Sequence, residues 1–156
     1  MQLDKVEEIL NKYAKYVVKQ AKTNLSRKKA NRSKNTSKKL YNSIKSKVKQ
    51  KDGNVSVSFE MEDYGAFQDQ GVSGKKVKYK TPFRFKSKMP PTKSLDKWIV
   101  RKKLAPRKNG KFTDRKIDKV GFQKSIQFLI ARSIFMKGIK PSLFFTRPFE
   151  KAFKDI

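Results

Sequence analysis

Apolar positions in the first quarter of the chain recur at three- and four-residue steps. Val6, Ile9, Leu10, Tyr13, Val17, Ala21 and Leu25 fall on one helical stripe, which is the pattern of a helix with one face against a core. Asp4, Glu7 and Glu8 come early and Lys19 and Lys22 late, so the charges run with the helix dipole. The spacing predicts a helix of about 20 residues from Asp4. Leu40, Ser43 and Ile44 then read as a short helical turn. After it the period drops to two, with Val48 on one side of KQKDGN and Val55, Val57, Phe59 and Met61 on the other. That alternation predicts an antiparallel hairpin with one face buried. Asp52 and Gly53 supply its turn, and a loop of about four residues leaves the register open. Tyr64, Ala66 and Phe67 make one more helical turn, closed by Gly71 and Gly74.

From Lys75 the alternation returns with a different content. Val77, Tyr79, Thr81, Phe83 and Phe85 occupy odd positions, and Lys76, Lys78, Lys80, Arg84, Lys86 and Lys88 occupy even ones. The pattern predicts a strand with an aromatic and a basic face, and Pro82 makes it an edge strand or breaks it in two. Pro90 and Pro91 end it, and Thr92 is placed to cap a helix that docks through Leu95, Trp98 and Ile99. The densest apolar helix follows, with Phe122, Ile126, Leu129, Ile130 and Ile134 on one face. Gly138 stops it in the left-handed conformation, and Pro141 prevents continuation. Leu143, Phe144 and Phe145 come next, and Thr146 is placed to cap a last helix with Phe149, Ala152 and Phe153 on one side. The predicted fold is α+β: a small antiparallel sheet packed against a long N-terminal helix and C-terminal helices. At 156 residues the expectation is a single domain over 1–156. It carries a basic flexible arm at 26–39, a basic strand and helix extension at 75–104, and an exposed loop at 105–119.

Charge changes this picture more than any motif does. Lys and Arg number 41 against 13 acids, for a formal charge of +28 with no histidine and no cysteine. Residues 1–52 carry +12, residues 53–69 carry −4, residues 70–120 carry +15 and residues 121–156 carry +5. Two basic regions thus flank an acidic one, and they call for a polyanion or an acidic protein surface as counter-charge. Lack of cysteine excludes disulfides and thiolate chemistry, and lack of histidine removes the commonest neutral-pH base and zinc ligand. Glu60, Glu62, Asp63 and Asp69 invite a paired-carboxylate or metal reading. A run of acids along a strand edge faces outward rather than converging on a site, so the expectation is a solvated or subunit-facing acidic patch, with no catalytic residue, cofactor or metal. No apolar run reaches the roughly 18 residues of a spanning helix, and the N-terminus lacks the features of a signal peptide.

Three segments carry a family resemblance. The first helix followed by LYNSIKSKV, the stretch SFEMEDYGAFQDQGVSG, and the ending IFMKGIKPSLFFTRPFEKAF resemble the small tailed-phage neck and tail-completion proteins of the HK97-gp10-like type. The residues that carry it are Leu40, Ser43 and Ile44, then Tyr64, Ala66, Phe67 and Gly71, then Pro141, Phe144, Phe145 and Pro148. The resemblance implies a non-enzymatic virion protein, made in the host cytoplasm. It also implies assembly as a homo-oligomeric ring of the head–tail connector or tail, beside other portal, neck or tail proteins. Passing double-stranded DNA would be contacted without sequence specificity, and no membrane is involved. The expected subunit interface comprises Tyr64, Phe67, Tyr79, Phe83, Phe85, Phe144 and Phe145. Expected contacts to a polyanion or acidic partner are Arg27, Lys28, Lys29, Arg32, Lys76, Lys78, Lys80, Arg84 and Lys86. Composition alone also fits a free basic nucleic-acid-binding protein.

Overall fold

The computed structural model describes residues 2–27, 37–102, 107–108, 111–112 and 119–154. The chain forms two compact units, Met1–Gln70 with Pro141–Ile156, and Gly71–Lys140. The first unit is built on helix α1, Gln2–Ser26. Tyr13, Ala14, Val17, Ala21 and Leu25 are buried, whereas Val6 is 44% and Ile9 49% exposed. The predicted stripe is therefore half-buried at Leu10 and fully covered from Tyr13, the point at which the rings of Phe59 and Phe149 meet the helix edge-on. After α2, Lys39–Ser43, strands β1, Lys45–Lys51, and β2, Asn54–Glu60, form an antiparallel hairpin.

Asp52 and Gly53 both have positive φ, 50° and 76°, the requirement of a type I′ turn. The loop is therefore two residues long, Lys51 pairs with Asn54, and Val48 faces Val57. Helix α3, Gly65–Gln70, and the last helix α6, Thr146–Lys154, complete the unit. One core cluster joins Ala21, Leu25, Leu40, Ile44 and Phe144, a second joins Tyr13, Val17 and Ala152, and Phe145 packs against both. An α+β arrangement of a long N-terminal helix, a small antiparallel sheet and C-terminal helices is thus what the chain adopts.

The second unit contains β3, Val72–Ser73, paired antiparallel with β6, Gly138–Ile139, which directly follows helix α5, Lys119–Lys137. Gly138 ends α5 as predicted, with φ 74°. A Cβ there would lie 2.1 Å from the Val72 carbonyl oxygen, so glycine is required by close approach as well as by φ. The residues preceding Asp96 form a 3₁₀ turn, Thr92–Leu95, before helix α4, Asp96–Arg101. Thr92 is the first residue of that turn rather than its cap. The Ser94 hydroxyl donates to the Pro91 carbonyl at 2.6 Å instead.

The buried face of α5 also differs from the predicted one. Among its described side chains Gln127 and Ala131 are buried, while Leu129 is 59% exposed. Apolar side chains are spread almost evenly about this helix, so burial of any one face is nearly equivalent by hydrophobicity alone. The polar anchor decides: Gln127 and Gln123 both donate their side-chain amides to Asp96 Oδ1, the latter at 3.2 Å. A buried amide needs such a partner, and meeting it sets the rotation of the helix. The side chain of Phe122 lies outside the described residues. Strands β4, Arg107–Lys108, and β5, Lys111–Phe112, pair antiparallel within the segment predicted as a loop. The remainder of 105–119, apart from Lys119 in α5, lies outside the described residues.

The largest departure concerns residues 75–88. The alternation predicts a strand, yet this segment makes only a single parallel bridge, Arg84 with Ser73. Pro82 cannot donate to a ladder, and the segment curls around Ser73 instead. The Ser73 hydroxyl accepts from Tyr79 N at 2.9 Å and donates to Tyr79 O at 3.2 Å. Ser73 N donates to Phe83 O at 2.8 Å, and Phe85 N donates to Ser73 O at 2.9 Å. Lys75 and Lys76 donate to the carbonyls of Phe135 and Met136 at the end of α5.

Candidate functional site

The acidic segment divides into two kinds of carboxylate. Glu60 is bonded by Lys47 at 2.7 Å and Glu62 by Lys39 at 2.9 Å. The Lys47 hydrogen bond and charge hold Glu60 below the usual carboxylate range, and Glu62 raises Lys39 in the same way. Asp69 is different, being only 4% exposed. Its carboxylate accepts from the backbone N–H of Phe145 at 2.8 Å and of Thr146 at 3.3 Å, and from the Thr146 hydroxyl. These are the orphan donors at the start of α6, so the cap of that helix comes from α3 and Thr146 serves as a donor. The Asp69 carbonyl in turn accepts from Ser142 N and Leu143 N. Nothing local in the sequence marks this role, because partner and cap are 76 residues apart.

Two surfaces of the first unit carry rows of cations. Along β1, Lys45, Lys47, Lys49 and Lys51 are all exposed, while Ser46 and Val48 are half-buried. Ser58 and Ser56 stand opposite Lys47 and Lys49, and their hydroxyls donate to the carbonyls of those two lysines. The alternation in KSKVKQK encodes this lysine face on the side of the strand opposite Val48. The second surface is a groove of about 790 Å³ beside α1, α2 and β1, whose described lining includes Lys15, Lys19, Lys22 and Arg27 and no carboxylate. Lys15, Lys19 and Lys22 follow one another at i, i+4 and i+7, a spacing at which like charges each destabilise a helix by about 0.2–0.5 kcal/mol. By contrast, Lys12 one turn earlier is paired with Glu8 at 2.7 Å.

In the second unit the even-numbered Lys76, Lys78, Lys80, Arg84 and Lys86 are all exposed, and Tyr79, Thr81, Phe83 and Phe85 are half-buried. The two-sided character predicted for this segment is present from Tyr79 to Lys86 without the strand, whereas Val77 is 38% exposed. Phe85 packs against Phe135 with ring centroids 6.2 Å apart, and Lys78 Nζ donates to the Gly74 carbonyl. Tyr64 and Phe67, in the first unit, are 38% and 41% exposed. Phe144 is 2% exposed within its own unit, and Phe145 packs edge-on to Phe59 and stacks on Phe149. Both rings thus serve the core of the first unit. Arg27 lies in the described groove lining, and Lys28, Lys29 and Arg32 lie outside the described residues.

Among the described residues no group of His, Cys, Asp or Glu could hold a metal ion, and no helix is long and apolar enough to cross a membrane. What the fold presents is a small α+β module whose polar surface is cationic and whose buried carboxylate is structural. A family model described as "Bacteriophage HK97-gp10, putative tail-component" matches residues 2–69, in agreement with the resemblance read from the sequence. The match ends within one residue of Gln70, where the chain leaves the first unit. Over these residues the chain is similar to a family described as a tail component. No curated protein and no solved structure matched the chain.

Proposed function

We propose that the protein is a structural component of the phage tail or head–tail connector, assembled as a ring of identical subunits around the channel through which double-stranded DNA passes. The observation that carries this reading is the tail-component match over residues 2–69, which spans α1, the hairpin and all but the last residue of α3. Two features of the structure support it. Leu3, Val6, Ile9 and Tyr16 on α1 and Phe153 on α6 are exposed, the last at 67%, and exposed apolar side chains suit contact with a like subunit. The cations are exposed whereas Glu60 and Glu62 already have lysine partners, so the surface offered to a neighbour or to DNA is net positive. A channel needs such charge without base readout, since DNA must slide.

Localising the chain in purified particles, together with the mass of the isolated assembly, tests the proposal. Several copies in like-with-like contact at the tail end of the particle are expected. Absence from particles, with a monomer that binds nucleic acid tightly, would instead identify a free basic nucleic-acid-binding protein. The DNA-facing role is tested by replacing Lys76, Lys78, Lys80, Arg84 and Lys86 together with glutamine. Reduced DNA retention or ejection in complete particles is expected. Normal DNA handling with failed incorporation would mean that these cations meet an acidic protein surface.

A further inference from the structure

The groove beside α1 combines charge, spacing and shape in a way that the lysines elsewhere on the first unit do not. Lys15, Lys19, Lys22 and Ser26 lie at i, i+4, i+7 and i+11, one straight stripe of the helix. This stripe is rotated away from the stripe of Ala14, Val17, Ala21 and Leu25 that faces the core. Successive cations therefore rise about 6 Å and about 4.5 Å along the axis. Thr23, Ser26, Arg27 and Ser46 also line the groove, the Thr23 hydroxyl donating to the Lys19 carbonyl at 2.9 Å. Lys22 Nζ sits 5.3 Å from the centre of the Tyr41 ring, which holds that cation over the groove by a cation–π contact. The described lining holds no carboxylate, and Glu8 and Glu62 are held by Lys12 and Lys39.

We infer that this groove is a binding site for the sugar-phosphate backbone of nucleic acid, taking about three phosphates in a row with no readout of bases. A folded helix that keeps three mutually repelling lysines in line beside a concavity is complementary to a linear array of negative charges. An acidic peptide is the less suitable occupant. A peptide gains affinity from apolar pockets or from an open strand edge; among the described lining residues Val18 and Tyr41 are the apolar or aromatic ones, and Lys22 Nζ already sits over the Tyr41 ring. Phosphates need cations, and Lys15, Lys19, Lys22 and Arg27 supply them in the described lining. All of these residues belong to one subunit, so the site does not depend on ring closure or on the connector reading.

The experiment compares two triple variants of the full chain that remove equal charge. Lys15→Gln, Lys19→Gln and Lys22→Gln empty the groove, and glutamine keeps helix propensity close to that of lysine. Lys45→Gln, Lys49→Gln and Lys51→Gln remove the same charge from the exposed face of β1 and leave the Lys47 pair with Glu60 intact. Binding of a short mixed-sequence DNA duplex is measured as a function of salt. The groove variant is expected to lower the salt slope by two to three, at about 0.9 per lost phosphate contact. It should also weaken binding at least tenfold at physiological salt, with the β1 variant changing much less. The groove variant should melt no lower than the parent, and slightly higher, because three repelling charges are gone; this separates loss of binding from loss of fold. Equal losses in the two variants would show that the charge acts diffusely and would overturn the site, as would an unchanged slope in the groove variant. Stronger competition by an acidic peptide than by the duplex, lost in the groove variant, would assign the groove to a protein partner and overturn the nucleic-acid assignment. None of these outcomes bears on the mass of the assembly, so failure of the site and failure of the ring are told apart.

Discussion

Two stretches of this chain are written in nearly the same code and fold differently. In KSKVKQK, residues 45–51, and in KKVKYKTPFRFK, residues 75–86, lysines or arginines alternate with less polar residues. The first is a strand of seven residues paired along its full length with β2. The second makes one isolated bridge. Yet in both the charged positions are exposed and most of the residues between them are half-buried. Alternation therefore reports that one side of a segment is wet and the other dry, and by itself it reports nothing about hydrogen bonds. A ladder also needs a partner of matching pattern, delivered in register by a turn. Asp52 and Gly53 deliver Val55, Val57 and Phe59 to β1, whereas the backbone of 75–85 has Ser73, two residues of strand and the end of α5 to bond to. The same side-chain logic is satisfied through a ladder in one case and through a hub in the other.

The largest effect is expected at the hub. Ser73→Ala removes the hydroxyl that serves both the N–H and the C=O of Tyr79, at a residue 5% exposed. Leaving those groups without a partner should cost about 2 kcal/mol, measured by urea denaturation. Amide exchange should quicken from Tyr79 to Phe85 and remain unchanged in the hairpin. If the loss fell below about 0.5 kcal/mol, the segment would not be ordered by Ser73. A smaller effect is expected at the hairpin turn. At Gly53 a Cβ would meet nothing within 4 Å, so Gly53→Ala carries only the conformational penalty of positive φ, about 1 kcal/mol. Hydrogen exchange should then rise along β1 and β2 together, because one turn sets the register of the whole ladder. The smallest effect sharpens the comparison most. Pro82→Thr restores the missing donor, and with no partner strand to receive it the change in stability should stay within about 0.5 kcal/mol. A new set of protected amides across 77–86 would show that the proline, and not the missing partner, is what prevents a strand.

Several elements were legible before any coordinates because local sequence suffices for them. The long first helix, the hairpin with its Asp-Gly turn, the stop at Gly138 and the short helix after Pro141 each rest on periodicity or on one residue's backbone preference. The basic surfaces were legible as charge runs, although the lysine face of β1 was overshadowed by the valines on its other side. Other features were not legible. Val6 and Ile9 carry the same periodic signal as Val17 and Ala21, and nothing in the stripe says where its cover begins. Leu129 and Gln127 on α5 exchange the roles that hydropathy assigns them, since Asp96 supplies a partner that lies about 30 residues away in sequence.

What sequence alone determined is the set of pieces and the sign of the surface: helices from a period near 3.6, strands from a period of two, breaks at glycine and proline, and a positive charge too large to be neutralised internally. These depend on residues within a few positions of one another, or on a simple sum. Only the tertiary structure decided what each piece was held by. Asp69 stands in an acidic run beside Glu60, Glu62 and Asp63, and is the one of the four that is buried. It is buried because the chain brings the open N-terminus of α6 to it, where a carboxylate satisfies donors that would otherwise be left without partners. The lysines of α1 likewise become a groove only when α2 and β1 stand beside them. A local pattern records which side of an element faces solvent, and the identity of its neighbour is a property of the whole path of the chain.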